Sequence, residues 1–252
     1  MWRYYYTIIR NIFRLPEVIK TMEDMIELSK KRPDEYNEEV KYRYVQYITD
    51  IMQRTGNIKT EVFGEENLPK DGGYMMYPNH QGKYDVYSVV SVHKQPCTFV
   101  MDIKKSNTIF IKQIVDTLAA KRLDKDNNRQ AMKIINEVAK EVENGRKYIL
   151  FPEGAYDNKK KNSLIKFKSG CFKICLKSKV PIVPVALIDS YKPFNSWSVG
   201  EIKTQVHFLE PILFDEYKNM KTSEIAELVK SRIANKIEEL KKVVNNEKRK
   251  RE

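Results

Sequence analysis

Of the three histidines in this sequence, His80 stands out, because a carboxylate, Asp85, follows five residues later. They lie in the run Pro78-Asn79-His80-Gln81-Gly82-Lys83-Tyr84-Asp85, directly after the apolar stretch Tyr74-Met75-Met76-Tyr77. With an unperturbed pKa of about 6.5, imidazole takes a proton from a hydroxyl near neutral pH, and a carboxylate on its other nitrogen fixes the tautomer and stabilises the imidazolium. A turn between the two would fold Asp85 back onto one ring nitrogen and hold the other as a base. The nucleophile would then be a substrate hydroxyl, with no serine or cysteine required. Spacing alone equally fits a bland arrangement in which His80 caps a loop and Asp85 a helix N-terminus. A metal centre is disfavoured, because the other two histidines, His93 and His207, give no ligand spacing with His80 and no cysteine cluster joins them.

A second candidate is Phe151-Pro152-Glu153-Gly154, directly after the apolar Tyr148 to Leu150. Pro-Glu-Gly at a strand end makes a tight turn that exposes a carboxylate and lets a backbone N–H approach a ligand. Bland turns of the same composition are common, so this one acquires weight only beside the others.

These residues need a scaffold that brings strand ends together. From Asn57 onward, short apolar strands (Ile58 to Phe63, Tyr74 to Tyr77, Thr98 to Met101, Tyr148 to Phe151, Val180 to Ile188, Thr204 to Phe208) alternate with helices. The helices are expected at Val86 to His93, Thr108 to Leu118, Asn127 to Asn144 and Ser169 to Lys177. That alternation predicts an α/β domain with a mixed, largely parallel central sheet flanked by helices, closed by a helix from Thr222 to Val244 and a charged tail, Lys248 to Glu252. Reactive groups in such folds sit on loops at strand ends, where His80 and Glu153 both fall.

Residues 1–55 read as a helical segment preceding the catalytic domain of residues 56–252. Glu17 to Ser29 and Asp34 to Arg54 are expected helices, divided by Lys30-Lys31-Arg32-Pro33. Met1 to Leu15, ended by Pro16, sets Arg3, Arg10 and Arg14 on one side and Trp2, Tyr5, Tyr6, Ile9, Ile12 and Phe13 elsewhere. This is the pattern of a helix lying in a membrane interface, and equally of a helix packing that apolar face on its own protein.

In order along the chain, Asn79-His80 to Asp85, the basic segment Lys121 to Lys125, Phe151 to Gly154, and Val180-Pro181-Ile182-Val183-Pro184-Val185 resemble the motifs of the glycerolipid acyltransferase family, which includes the bacterial 1-acylglycerol-3-phosphate acyltransferases. The resemblance covers about Gly56 to Phe214. It implies that His80, in a His-four-residues-Asp motif, is the general base for the acceptor hydroxyl and that Asp85 orients it. It also implies that Asn79, Glu153 and Gly154 line the substrate site, and that Lys104 or Lys105 is the lysine facing the thioester. The donor would be acyl-CoA or acyl-carrier protein, the acceptor a lysophospholipid, and no bound cofactor is needed. The sequence departs from the family pattern after Pro-Glu-Gly. Ala155-Tyr156-Asp157 stand where the family has Thr-Arg-Ser, removing a cation expected at the acceptor's phosphate. Arg122, Lys125 and the lysines 159–161 are the candidates to replace it, although a lysine lacks the bidentate fork of arginine.

Composition bounds the alternatives. A formal net charge of +12, from 46 Lys plus Arg against 34 Asp plus Glu, favours phosphate-bearing partners: nucleic acid, anionic lipid or a phosphorylated substrate. Nucleic acid is disfavoured, since no helix-turn-helix, aromatic RNA-binding motif or zinc spacing occurs and the basic residues are dispersed. Three cysteines, Cys97, Cys171 and Cys175, form no even disulfide framework and suit a reducing compartment. No apolar stretch reaches the roughly 18 to 20 residues of a membrane span, and the first fifteen residues have no signal-peptide pattern. The expectation is a peripheral enzyme on the cytoplasmic face of the cell membrane, resting on anionic lipid. Its competitors are an acyltransferase for a different lysolipid, or a non-catalytic membrane-binding protein of the same fold.

Overall fold

The computed structural model describes residues 2–157, 160–197 and 200–249, with side chains from 5 to 243 within them. Its described elements run α1 (Trp2–Asn11), α2 (Leu15–Lys31), α3 (Glu38–Gly56), β1 (Ile58–Phe63), β2 (Tyr74–Pro78), α4 (Asp85–Val92), β3 (Thr98–Asp102), α5 (Ile111–Thr117) and β4 (Lys121–Leu123). They continue with α6 (Asn128–Glu143), β5 (Lys147–Ile149), α7 (Lys173–Ser178), β6 (Ile182–Ile188), α8 (Lys192–Asn195), β7 (Ile202–Phe208), α9 (Phe214–Tyr217) and α10 (Thr222–Arg249).

The strands form one sheet in the order β1-β7-β6-β2-β5-β3-β4. Strands β6, β2, β5, β3 and β4 are parallel, β7 is antiparallel to β6, and β1 is parallel to β7. The expected mixed, largely parallel sheet is therefore present. Burial on both faces explains why β2 and β6 read as nearly unbroken apolar runs. Met75 and Tyr77 of β2 join one core with α6, α7 and α10, whereas Tyr74 and Met76 join the other with α2, α3, α4 and α5. Because five neighbouring strands point the same way, Pro78, Asp102, Leu123, Ile149 and Ile188 all end on one edge of the sheet.

Local chemistry sets the helix boundaries. The Asn37 side chain accepts from the Val40 N–H at 3.1 Å to start α3, and Asn127 does the same for Gln130 at 3.0 Å in α6. Asn57, at φ 50°, ends α3 in the left-handed conformation that asparagine tolerates. Pro16 opens α2 at its first turn instead of closing α1, which stops at Asn11; proline's missing N–H costs nothing there. Arg14 consequently lies outside α1. Lys121 to Leu123, expected only as a basic segment, is the short edge strand β4, paired with β3. Helix α5 starts at Ile111, not Thr108, because Phe110 turns to φ 70° just before it. The helix expected at Ser169 to Lys177 divides into a 3₁₀ turn over Ser169–Phe172 and α7.

The apolar side of α1 is not the side that packs. Thr7 is buried, and Asn11 donates to Thr55 Oγ1 at 2.7 Å on the last turn of α3; Arg10 donates to Tyr6 and to the Thr55 carbonyl. Tyr5 and Ile9 of α1, with Ile12 and Phe13 in the turn after it, stay 49 to 96% exposed. The side chains of Trp2 and Arg3, the lysine at 159 and the tail beyond residue 249 lie outside the described residues. Among the described residues, no helix is long and apolar enough to cross a membrane.

Candidate active site

His80 sits two residues past β2 on the edge where the parallel strands end. Its ring Nδ1 lies 2.7 Å from Asp85 Oδ2, the side chain of the first residue of α4. A carboxylate only accepts, so Nδ1 carries the proton and the neutral ring presents Nε2 as its basic atom. No described residue hydrogen-bonds Nε2. Asp85 is fully buried and its Oδ2 also accepts the N–H groups of Gln81, at 2.5 Å, and Gly82, at 2.9 Å. The turn required between the two residues is thus closed by the carboxylate itself. Its other oxygen, Oδ1, accepts from Ser190 Oγ at 2.6 Å.

Two rings bound the imidazole. Phe151 stacks on it with centroids 4.3 Å apart, and Tyr156 meets it edge-on at 4.8 Å. Burial pushes the Tyr156 phenol up, and the Asp85 carboxylate adds to the shift. Asn79 fastens the same loop to β6 by two hydrogen bonds, donating to the Leu187 carbonyl at 3.1 Å and accepting from its N–H at 2.7 Å.

Glu153 is turned inward, which corrects the expectation that the Pro-Glu-Gly turn exposes a carboxylate. Its Oε1 accepts from the His80 backbone N–H at 3.0 Å, and only 4% of the residue is exposed. Burial pushes its carboxyl above the usual range, opposed by hydrogen bonds from the backbones of His80 and Ile165. The loop can use it this way because the N–H of a residue just past a strand has no ladder partner. Gly154, at φ 70°, completes the turn, with its N–H on the Phe151 carbonyl at 3.1 Å.

The expected cations are placed unequally. Lys125 donates to the Gly154 carbonyl and pairs with Asp102 at 3.0 Å, so it stands against the turn. Lys105 lies over the Tyr156 ring, 5.2 Å from its centroid, one ring away from His80. Lys104 instead reaches out to Asp126 at 2.5 Å. The guanidinium partners of Arg122 are Asp116, at 2.7 Å, and Ser106, at 3.2 Å, neither a neighbour of His80. Lys160 and Lys161 are exposed. Sequence reasoning did not single out Ser190, Gln81 or Asn162. The usable signal was that Ser190, like His80, stands two residues beyond the carboxyl end of a buried strand. Among the described residues, no group of three or more His, Cys, Asp and Glu side chains is placed to hold a metal ion.

Comparison with known proteins follows the same residues. A family model described as Acyltransferase matches residues 59–188. The 1-acyl-sn-glycerol-3-phosphate acyltransferase of Saccharomyces cerevisiae is 25% identical over 198 residues, covering 75% of this chain and 63% of that protein. The Escherichia coli K12 protein of the same name is 29% identical over 189 residues, covering 74% of this chain and 76% of its own. A probable member from Mycoplasma pneumoniae is 24% identical over 163 residues, 63% of this chain. The match spans 60% of the Mycoplasma protein, so it takes in less than two thirds of that relative and of the yeast one. The crystal structure of the 1-acyl-sn-glycerophosphate acyltransferase PlsC from Thermotoga maritima superposes with a TM-score of 0.73 at 19% identity, over 95% of this chain and 97% of that one, and so shares its fold.

Proposed function

The chain belongs to the acyltransferase family, and from that premise we propose that it moves a fatty acyl group from a carrier thioester to the free hydroxyl of a lysophospholipid. The favoured acceptor is 1-acylglycerol 3-phosphate, giving phosphatidic acid, and the donor is acyl-CoA or acyl-carrier protein. The relatives' names support that acceptor. One observation carries the reading: Asp85 holds Nδ1 of His80 at 2.7 Å and leaves Nε2 free as a base.

In this reaction Nε2 takes the proton from the acceptor hydroxyl as its oxygen attacks the thioester carbonyl carbon. Asp85 stabilises the resulting imidazolium. Collapse of the tetrahedral intermediate breaks the C–S bond. The departing thiolate takes the proton back from His80, leaving an ester and a free thiol. The activated acyl group arrives with its carrier, so no resident cofactor is needed. Lys105, held near His80 by Tyr156, and Lys125, beside Gly154, supply positive charge for the oxyanion and the acceptor's phosphate. The exposed apolar face of α1 docks the enzyme, peripherally, on the cytoplasmic face of an anionic membrane.

Tyr156 favours a second reading for the acceptor alone. An aromatic ring stands where the family pattern has arginine, which fits a related lysolipid without a phosphomonoester. Acyl transfer to lysophosphatidate and to a lysolipid lacking that group, by wild type and His80→Ala, separates the cases. Transfer to lysophosphatidate that falls at least about a thousandfold in the variant is expected. Transfer only to the other lipid would replace the acceptor and keep the chemistry. No transfer to either, with vesicle binding intact, would favour a non-catalytic membrane protein.

A further inference from the structure

We propose that Ser190 is a positioning residue for the His80–Asp85 pair, its hydroxyl holding Asp85 Oδ1 so that Oδ2 faces His80 Nδ1. The inference rests on His80 acting as the base, but its first readout is independent of turnover.

The donors around Asp85 are asymmetric. Oδ2 receives three, His80 Nδ1 and the N–H groups of Gln81 and Gly82, all from the loop that carries His80. Oδ1 receives Ser190 Oγ at 2.6 Å, from the turn after β6, 105 residues away in sequence. The Asp85 side chain is wholly buried, so Oδ1 has the Ser190 hydroxyl in place of solvent. A buried carboxylate oxygen without a partner is costly, and the group would turn about its Cβ–Cγ bond to share its remaining donors. That rotation moves Oδ2 away from Nδ1. Ser190 prevents it, binding across the carboxylate from the imidazole.

The turn that carries Ser190 is itself fixed. Asp189 takes φ 61°, and its N–H donates to Asn162 Oδ1 at 2.9 Å, while Asn162 Nδ2 donates to Asp189 Oδ1 at 3.0 Å. Gln81 Nε2 donates to that same Asn162 oxygen at 2.8 Å and to the Leu187 carbonyl at 2.9 Å, linking the His80 loop to the turn. Ser190 Oγ lies 3.1 Å from Gln81 Oε1 as well. One hydroxyl proton serves one acceptor, and the shorter contact to a charged oxygen takes it. Ser190 is 1% exposed, so its hydroxyl has no role in solvent.

The test is Ser190→Ala, read by proton NMR of the ring N–H groups and by steady-state kinetics. Only three histidines occur, so His80→Ala assigns the His80 Nδ1–H line by its disappearance. In folded Ser190→Ala that line is expected to move upfield or vanish through exchange with water. Meanwhile kcat falls about tenfold to a hundredfold, as loss of one hydrogen bond to a charged group predicts, and acceptor KM stays within about twofold. Should the alanine variant not fold, Ser190→Cys fills the site with a slightly larger atom, replaces a strong donor with a weak one, and is read in the same way. A line unmoved in a folded variant, or a kcat equal to wild type, overturns the positioning role. A wild type inactive on both acceptors overturns the proposed reaction instead, and the resonance still decides the role of Ser190.

Discussion

His93, away from the loop that carries His80, is placed to stay neutral. Tyr74 OH lies 2.6 Å from its Nε2, and its Nδ1 is 2.7 Å from the Gln95 carbonyl, which only accepts. Nδ1 therefore carries the proton and Nε2 accepts from the phenol. The residue is fully buried at the end of α4, the helix that begins with Asp85. Burial, helped by Lys147, pushes its pKa down to about 4, and burial does the same for His207. An unfolded histidine binds protons near pH 6.5, so between there and pH 4 the unfolded chain holds more protons than the native one. His93's contribution is complete above about pH 6.5 and is lost as the pH falls toward 4, on the order of 3 kcal/mol over that range. Urea midpoints at pH 7 and pH 5 should show a smaller drop for His93→Gln than for wild type, even though the variant is less stable at pH 7. An equal drop in both would show that His93 does not carry this dependence.

The site was legible where it is local. His80 and Asp85 lie within one loop, so sequence spacing contained the possibility of their contact. The inward turn of Glu153 depends on a backbone N–H 73 residues away, and the contact of Ser190 with Asp85 spans 105 residues. No periodicity records such pairings. Lys104 and Lys105 are adjacent, and sequence could not tell which one faces the thioester; in the fold Lys104 pairs with Asp126 and Lys105 lies over the Tyr156 ring.

Among the elements, strands buried on both faces were the easiest to read. β2 and β6 differ from the sequence reading only at their ends, because a run of apolar residues has few other uses in a chain this charged, while β1, a half-exposed edge strand, falls where the sequence placed it. β4 was missed because three residues, two of them basic, carry no alternation; it exists through its pairing with β3 at the sheet edge. The sequence was read as one amphipathic helix from Met1 to Leu15; α1 stops at Asn11, and its hydrogen-bonding face is the one against α3. The exposed apolar residues Ile9 of α1 and Phe13 of the turn after it predict that Ile9→Asp with Phe13→Asp leaves the fold unchanged. Binding to anionic vesicles should weaken at least about tenfold, since each buried side chain of this size contributes roughly 1.5 to 3 kcal/mol. Acyl transfer to a bilayer acceptor should fall with it, while transfer to a short-chain soluble analogue is spared. Equal loss on both acceptors would remove α1 from the docking role.

At the scale of the whole molecule, the strand order has a consequence for how the chain is made. β1 lies at one end of the sheet and its ladder partner is β7; Thr60 and Thr204, joined by a 3.0 Å hydrogen bond, are 144 residues apart. Closing a loop of that length costs about 4 kcal/mol of chain entropy before any contact compensates it. Of the strands β1 is synthesised first, and it is expected to wait, unpaired, while the strands that form the middle of the sheet are made and assemble. Pulse-labelled amide exchange during refolding should therefore find the N–H groups of β2 and β5 protected before those of β1, and simultaneous protection would contradict this order. The reactive loop after β2 would then take shape on a sheet whose first strand is still outside it.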